Sequence, residues 1–385
     1  MASICELKMP GNVFVGAGSV ERLKDVVLNY GAKKITIITD RGVWDSGLVK
    51  KPKSALETAG VELNVFHDVP AEPAVGQIET IFENIKAFNS HMLIGIGGGS
   101  VMDTAKILSI MATNDANPRN FLGIDKVKNK GIPTLMIPTT AGTGAEVTPN
   151  AIVLLPENGC KQGIVSRKII PDSVILDPSM TVNLPKSLTA STGMDAFCHA
   201  IECYISLEAN PLSDSFAIRA MHLIWRSIRN AYCNGSDINA RSDMLLGSFF
   251  AGLALSTSGG TAIHAMSYPL GGKYRVPHGV SNAILLPHLM KFNMTAVEQR
   301  LAALTVNLEL SGDAISEKQR AEKFVEDIYL LVHDLNLPED FKNYKIPECD
   351  IDMLSQAAFN IKRLMNNNPR KMAIEDIKNI YKRLL

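Results

Sequence analysis

No charge of one sign is in excess in this 385-residue chain: Lys and Arg together number 39, and so do Asp and Glu. That balance excludes a globally basic nucleic-acid binder and a polybasic membrane-surface protein, since both need surplus cations to meet phosphates or anionic headgroups. Long apolar runs are missing too: stretches such as residues 251–255 break off far short of the roughly 20 residues a membrane-spanning helix requires. Cysteine is scarce, with six in the chain and no CxxC spacing among Cys5, Cys160, Cys198, Cys203, Cys233 and Cys349. Thiols so few and so scattered argue against a disulfide scaffold and for a reducing cytoplasm, with Cys198 and Cys203 as small apolar fillers. Residues 1–10 contain Glu6 and Lys8 and lack an apolar run followed by a cleavage site, so no secretory signal is expected. Internal repeats and low-complexity segments are likewise not visible.

What the chain does have is 46% apolar and 20% charged residues, ordinary globular proportions that supply a large core and disfavour disorder. Its length suggests two domains. In the first half, residues 34–39, 63–66, 92–96, 134–137 and 173–176 read as buried strands, mostly bounded by Gly, Pro or Asp. Helical stretches such as 77–88 and 101–111 lie between them. This alternation predicts βαβ units around a mostly parallel sheet, which binds ligands at the carboxyl ends of its strands. Beyond Leu184-Pro185 the 3.6-residue period takes over, at 217–231, 240–255, 315–335 and 351–359. The expected organisation is an α/β domain over residues 1–183 and an all-α domain over 184–385.

Two loops that follow strands carry ligand-binding chemistry. Ile94-Gly95-Ile96 runs into Gly97-Gly98-Gly99-Ser100 and then into an apolar-periodic helix. A glycine turn there lets backbone N–H groups of the first helical turn approach a pyrophosphate. The same residues also suit a plain βα turn with Ser100 as a cap, and they depart from GxGxxG. Asp40, at the end of the strand 34–39, either accepts hydrogen bonds from a ribose or simply ends the strand in a turn. The loop Thr139-Thr140-Ala141-Gly142-Thr143-Gly144 brings further hydroxyl and backbone donors to another strand end.

In the helical half, Asp195 and His199 are four residues apart, which places them on one helix face with Cβ atoms roughly 5 to 6 Å apart. His264 and His278 follow. Three histidines and an aspartate form a donor set suited to ferrous iron or zinc. Each taken singly reads equally as an ordinary helix pair or core histidine. The apolar, alanine- and glycine-rich context of all four disfavours that reading, because an unpaired polar group there is costly. His67, His91, His222, His288 and His333 carry no such signal.

Taken in order, FVGAGS at 14–19, GGGSVMDTAK at 97–106, PTTAGTGAEVT at 138–148, GMDAFCHAIE at 193–202, the His264 segment, PHGVSNAILLP at 277–287 and NPR at 368–370 give a likeness over essentially the whole length. With these motifs the chain resembles the iron-dependent (group III) alcohol dehydrogenases, including their lactaldehyde reductases and 1,3-propanediol dehydrogenases. The resemblance implies a dehydroquinate synthase-like fold, an NAD-binding α/β domain followed by a helical metal-binding domain with the site in the cleft between them. It implies Asp195, His199, His264 and His278 as ligands of Fe2+, or alternatively Zn2+. For NAD(H) it implies Gly98, Gly99 and Ser100 at the pyrophosphate, with Asp103 beside them. Thr139, Thr140, Thr143 and Thr148 fall on nicotinamide-nucleotide contacts, Lys161 on the ribose, and Asp40 on the position that favours NAD over NADP. Two departures stand out. Val69-Pro70-Ala71-Glu72-Pro73 lacks the asparagine of the family's VxPNP turn, so that contact is not carried over. Tyr268 replaces a second histidine proposed to relay a proton.

The expected activity is hydride transfer between NAD(H) and a small primary alcohol or aldehyde, by a cytoplasmic homodimer or higher homo-oligomer with no nucleic-acid or membrane partner. Hydroxyaldehydes such as lactaldehyde, diols and simple short alcohols all suit the family. One alternative is a reductase for an anionic aldehyde such as sulfoacetaldehyde, because Lys273 and Arg275 lie close in sequence to His278. Those cations also suit a solvated loop or acidic neighbours. A second alternative is a dehydroquinate synthase-type non-redox NAD enzyme, and a third is a catalytically silent protein that keeps the fold.

Overall fold

The computed structural model describes residues 5–157, 160–310 and 316–385; Ile315, at the start of one expected helix, lies outside them. Two compact units emerge. One comprises Lys8–Leu184 with Gly235–Phe249, the other Pro185–Asn234 and Phe250–Leu385 with residues 5–7. The stretch Gly235–Phe249 thus clusters with the sheet, a departure from a single cut near residue 184.

The first unit contains strands β1 (Asn12–Val15), β2 (Lys34–Ile38), β3 (Glu62–Phe66), β4 (Met92–Gly97), β5 (Gly123–Ile124), β6 (Thr134–Pro138), β7 (Asn150–Leu155), β8 (Cys160–Val165) and β9 (Ser173–Leu176). Its helices are α1 (Leu23–Asn29), α2 (Arg41–Asp45), α3 (Lys50–Thr58), α4 (Val75–Lys86) and α5 (Gly99–Met111). Six strands form a parallel sheet in the order β1-β9-β6-β4-β2-β3. Both faces are buried: Ile35, Ile37, Ile94 and Ile96 pack with α1 and α3, while Ile38, Leu93 and Met136 pack with α4 and α5. That two-sided burial is why these strands read as continuous apolar runs. From β2 the chain moves outward to β3 and then returns to β4 on the other side of β2. The carboxyl ends of β2 and β4 therefore form the switch point at which such sheets bind ligands, and the Thr39 hydroxyl donates to Ile96 O across it at 2.7 Å. A smaller sheet, β5-β8-β7, contains an antiparallel β7–β8 hairpin in which Leu154 is paired with Lys161.

The second unit is helical: α6 (Lys186–Ile205), α7 (Pro211–Cys233), α8 (Ile238–Ser258, entered from the first unit), α9 (Ala262–Tyr274), α10 (His278–Asn307), α11 (Glu317–Asp334), α12 (Ile351–Phe359), α13 (Lys362–Met365) and α14 (Ile374–Leu384). Helix α6 is buried on almost every side from Thr189 to Ile205, so its few polar side chains need internal partners. Helix α9 ends at Arg275 with φ of 54°, and only Val276 and Pro277 separate it from His278, the first residue of α10. A Cβ on Gly279 would meet the Ser191 carbonyl oxygen at 2.1 Å, so α10 starts against the bare backbone of α6. Glycine is required there. Ser191 is one turn before Asp195, and the close approach brings His278 to the Asp195 face of α6. Among the described residues no helix is long and apolar enough to cross a membrane, and Cys5, Cys198, Cys203, Cys233 and Cys349 are free.

Candidate functional site

The buried end of α6 presents Asp195 and His199 one turn apart, and α9 adds His264. One donor atom from each of the three lies within 4.8 Å of the others. His278 joins them, with Nε2 at 3.6 Å from Asp195 Oδ1, the same separation as His264 Nε2 from that oxygen. The Asn282 amide nitrogen is 2.7 Å from Asp195 Oδ1, 3.1 Å from His264 Nε2 and 3.3 Å from His278 Nε2. One nitrogen can lie within hydrogen-bonding reach of all three only because those atoms converge on a small volume. That is what a divalent ion requires, and three imidazoles with one carboxylate suit iron or zinc.

The surroundings orient these groups. Glu202, fully buried one turn beyond His199, accepts from the Thr261 hydroxyl at 2.8 Å, from the backbone N–H groups of Thr261 at 3.1 Å and Ile263 at 2.8 Å, and from His264 Nδ1. With Nδ1 committed to a carboxylate, His264 presents Nε2 as its lone-pair face. The Ser267 hydroxyl hydrogen-bonds His278 Nδ1 at 3.3 Å and does the same for that ring. Burial alone would push the Asp195 carboxyl up, but His199, His278 and His264 outweigh it and hold the group well below the usual carboxylate range. For His264 burial opposes the charged form, yet Glu202 and Asp195 raise its pKa to about 10. Two buried carboxylates thus impose a field that favours positive charge at this spot, the field a bound cation would meet. Tyr268 sits one turn after His264, its ring 6.4 Å from that of His264 and 5.8 Å from that of His278.

Glu202 stands in the GMDAFCHAIE segment but drew no role from the sequence. The signal was present: Asp195, His199 and Glu202 recur at i, i+4 and i+7 on one helix face. Asn282 and Ser267 carried none.

The cofactor candidates gather in the first unit. Gly98 caps α5 and Gly99 opens it. A Cβ on Gly99 would lie 2.8 Å from the Thr143 side chain and one on Gly98 would lie 3.3 Å from the Thr140 hydroxyl, so the threonine loop after β6 covers the glycine turn. Thr139 N–H donates to Gly97 O at 3.0 Å. Asp40 caps α2, accepting from Val43 N–H at 2.9 Å. Asp103 Oδ2 accepts from Ile152 N–H at 2.9 Å while its Oδ1 lies 3.5 Å from Lys106 Nζ, and the Thr148 carbonyl and hydroxyl face Lys106 Nζ at 3.1 and 3.3 Å. Lys106, fully buried, also donates to Asn150 O at 2.8 Å. Glu146 lies buried nearby, and burial pushes its carboxyl up to about 7 against the pull of Lys106. Lys161, on β8, pairs with Glu72. In the second unit Lys273 pairs with Asp350 at 2.6 Å, and the Tyr274 hydroxyl donates to the same carboxylate. Of the two cations considered for an anionic substrate, only Arg275 is left exposed without an acidic partner among the described residues.

The chain matches known proteins along nearly its whole length. Residues 10–178 match the family described as iron-containing alcohol dehydrogenase, and residues 189–385 match the C-terminal part of the Fe-containing alcohol dehydrogenase family. The chain is 36% identical over 382 residues to long-chain-alcohol dehydrogenase 1 of Geobacillus thermodenitrificans strain NG80-2, covering 98% of this chain and 96% of that one. It is 34% identical over 366 residues to the sulfoacetaldehyde reductase of Bilophila wadsworthia strain 3_1_6, covering 94% of each. A crystal structure of a 1,3-propanediol oxidoreductase superposes with a TM-score of 0.96 at 32% identity over the full length of both chains. With both halves matched and relatives above 30% identity along nearly its whole length, the protein belongs to the iron-containing alcohol dehydrogenase family.

Proposed function

We propose that the protein interconverts a small neutral primary alcohol and its aldehyde, using NAD(H) and a divalent ion held by Asp195, His199, His264 and His278. The convergence of those four donors, three of them buried, backed by Glu202, carries the proposal. When bound, Fe2+ or Zn2+ supplies Lewis-acid polarisation of a carbonyl or hydroxyl oxygen, and NAD(H) gives or takes the hydride. The protein's own part is positioning. Glu202 and Ser267 fix the imidazole tautomers, and Asn282 steadies the Asp195 carboxylate by donating to it. The free N–H groups at the start of α5 suit the pyrophosphate. Tyr268, whose hydroxyl both donates and accepts, takes the proton-relay position. Engagement of Lys273 by Asp350 removes one of the two cations on which an anionic aldehyde would depend, which favours the neutral substrate. A homodimer or larger homo-oligomer in the cytoplasm completes the proposal, and the free thiols support that compartment.

Purified protein loaded with ferrous iron is expected to oxidise NADH with propionaldehyde or lactaldehyde, to lose this activity on chelation and to regain it with iron. Absence of turnover with every aldehyde, in protein shown to hold both metal and NADH, overturns the proposal. NADH is expected to be used at least about tenfold better than NADPH, because Asp40 would face a 2′-phosphate and repel it. Asp40→Gly should narrow that ratio at little cost to folding, since glycine is itself a tolerated helix cap. Equal efficiency of the two cofactors in the wild type would sink the assignment of Asp40.

A further inference from the structure

We propose that Glu72 weakens NAD(H) binding and hastens its release, by holding Lys161 and by placing a negative charge beside the pyrophosphate loop. The inference rests on the cofactor site proposed above. Glu72 adopts a φ of 51°, a left-handed conformation uncommon outside glycine, so the surrounding structure must hold it there. Its N–H donates to the Ser100 hydroxyl at 3.0 Å. On the following residues, Pro73 O accepts from Leu154 N–H at 3.1 Å, and Ala74 N–H donates to Gln77 at 2.9 Å. The backbone is thus pinned between the start of α5 and strand β7. Leu154 is in turn the β7 partner of Lys161, so the turn and the lysine are neighbours by sheet register. Lys161 Nζ meets Glu72 Oε1 at 2.5 Å, with the lysine side chain only 7% exposed.

This geometry acts on an incoming cofactor in two ways. The Ser100 hydroxyl accepts from Glu72 N–H, which leaves its own hydrogen to donate to a phosphate. The Glu72 carboxylate, reaching no more than about 5 Å from its own backbone nitrogen, stays within about 8 Å of that hydroxyl, a separation that salt does not fully screen. It therefore repels the pyrophosphate that Ser100 attracts. Lys161 must also leave Glu72 before it can reach the ribose. Both effects disappear in Glu72→Gln, which keeps the backbone contacts.

Equilibrium titration of the purified protein with NADH, followed by nicotinamide fluorescence without substrate, tests this. Glu72→Gln is expected to lower the NADH Kd by about fivefold to tenfold, with a matching slowing of release in stopped-flow displacement. In a Lys161→Met background the gain should shrink to about twofold, because only the repulsion is then relieved. Unchanged or weaker affinity in Glu72→Gln, or a gain undiminished by Lys161→Met, overturns the inference. Failure of the wild type to bind NADH at all would count instead against the function proposed above.

Discussion

His264→Ala is expected to purify without stoichiometric metal and to lose on the order of a thousandfold or more in kcat/KM, the equivalent of the several kcal/mol that a Lewis acid contributes to such a step. His264 is the donor whose environment is most committed: its Nδ1 is held by Glu202, and its Nε2 faces Asp195 across 3.6 Å. Truncation removes that donor, yet the Glu202 carboxylate keeps the Thr261 and Ile263 N–H groups and the Thr261 hydroxyl as partners. Helix α9 should survive. Elemental analysis beside circular dichroism decides the matter, and a full complement of tightly held metal in a folded variant would show that His264 is not a ligand. His278→Ala should lose metal in the same way, with less effect on the core because that side chain is 24% exposed.

Glu202 gives the second large effect. Glu202→Gln keeps the shape but replaces one acceptor oxygen with a donor, which opposes either His264 Nδ1–H or the backbone N–H groups it replaces as partner. A metal affinity reduced by about 10-fold to 100-fold is expected, the usual consequence of removing the partner of a ligating histidine. Glu202→Leu goes further. It strands the N–H groups of Thr261 and Ile263 and the Thr261 hydroxyl in the core, at about 1–3 kcal/mol each. Competition of zinc with a chromophoric chelator measures the affinity, and thermal unfolding of the metal-free protein measures the structural part separately. A purely structural Glu202 predicts Glu202→Gln with lowered melting and unchanged affinity. That outcome would remove Glu202 from the metal-positioning role.

The strands of the main sheet were legible because two-sided burial makes them continuous, largely apolar runs, as in Ile35 to Ile38 and Met92 to Ile96. Other strands left no such trace. Strand β1 is only four residues long and lies at the sheet edge. In β7 the half-buried Ile152 and Leu154 alternate with the buried Ala151, Val153 and Leu155, so exposure alternates while hydrophobicity does not. The four clustered donors were legible because imidazole and carboxylate are conspicuous in an apolar helix. Their supports depend on what faces them across helices: Ser267 and Asn282 are ordinary polar residues until α9 and α10 are folded against each other. The same holds for Lys273, whose partner Asp350 comes 77 residues later. No local pattern could choose between a solvated lysine and a paired one.

Lys106 has a consequence for the loop above the glycine turn. Its ammonium group is buried beneath that loop and bound to the carbonyls of Thr148 and Asn150, with Asp103 as the nearby counter-charge at 3.5 Å. Releasing the loop would take from that buried cation the Thr148 carbonyl and hydroxyl, two of its four partners. The segment that covers Gly98 and Gly99 is therefore ordered as part of folding. Restricting a flexible backbone costs about 1–2 kcal/mol of entropy per residue, and here that loss has been taken before any ligand arrives. For the nucleotide site proposed at the carboxyl ends of β2 and β4, the entropy of binding is then expected to reflect the ligand's own freedom more than the protein's.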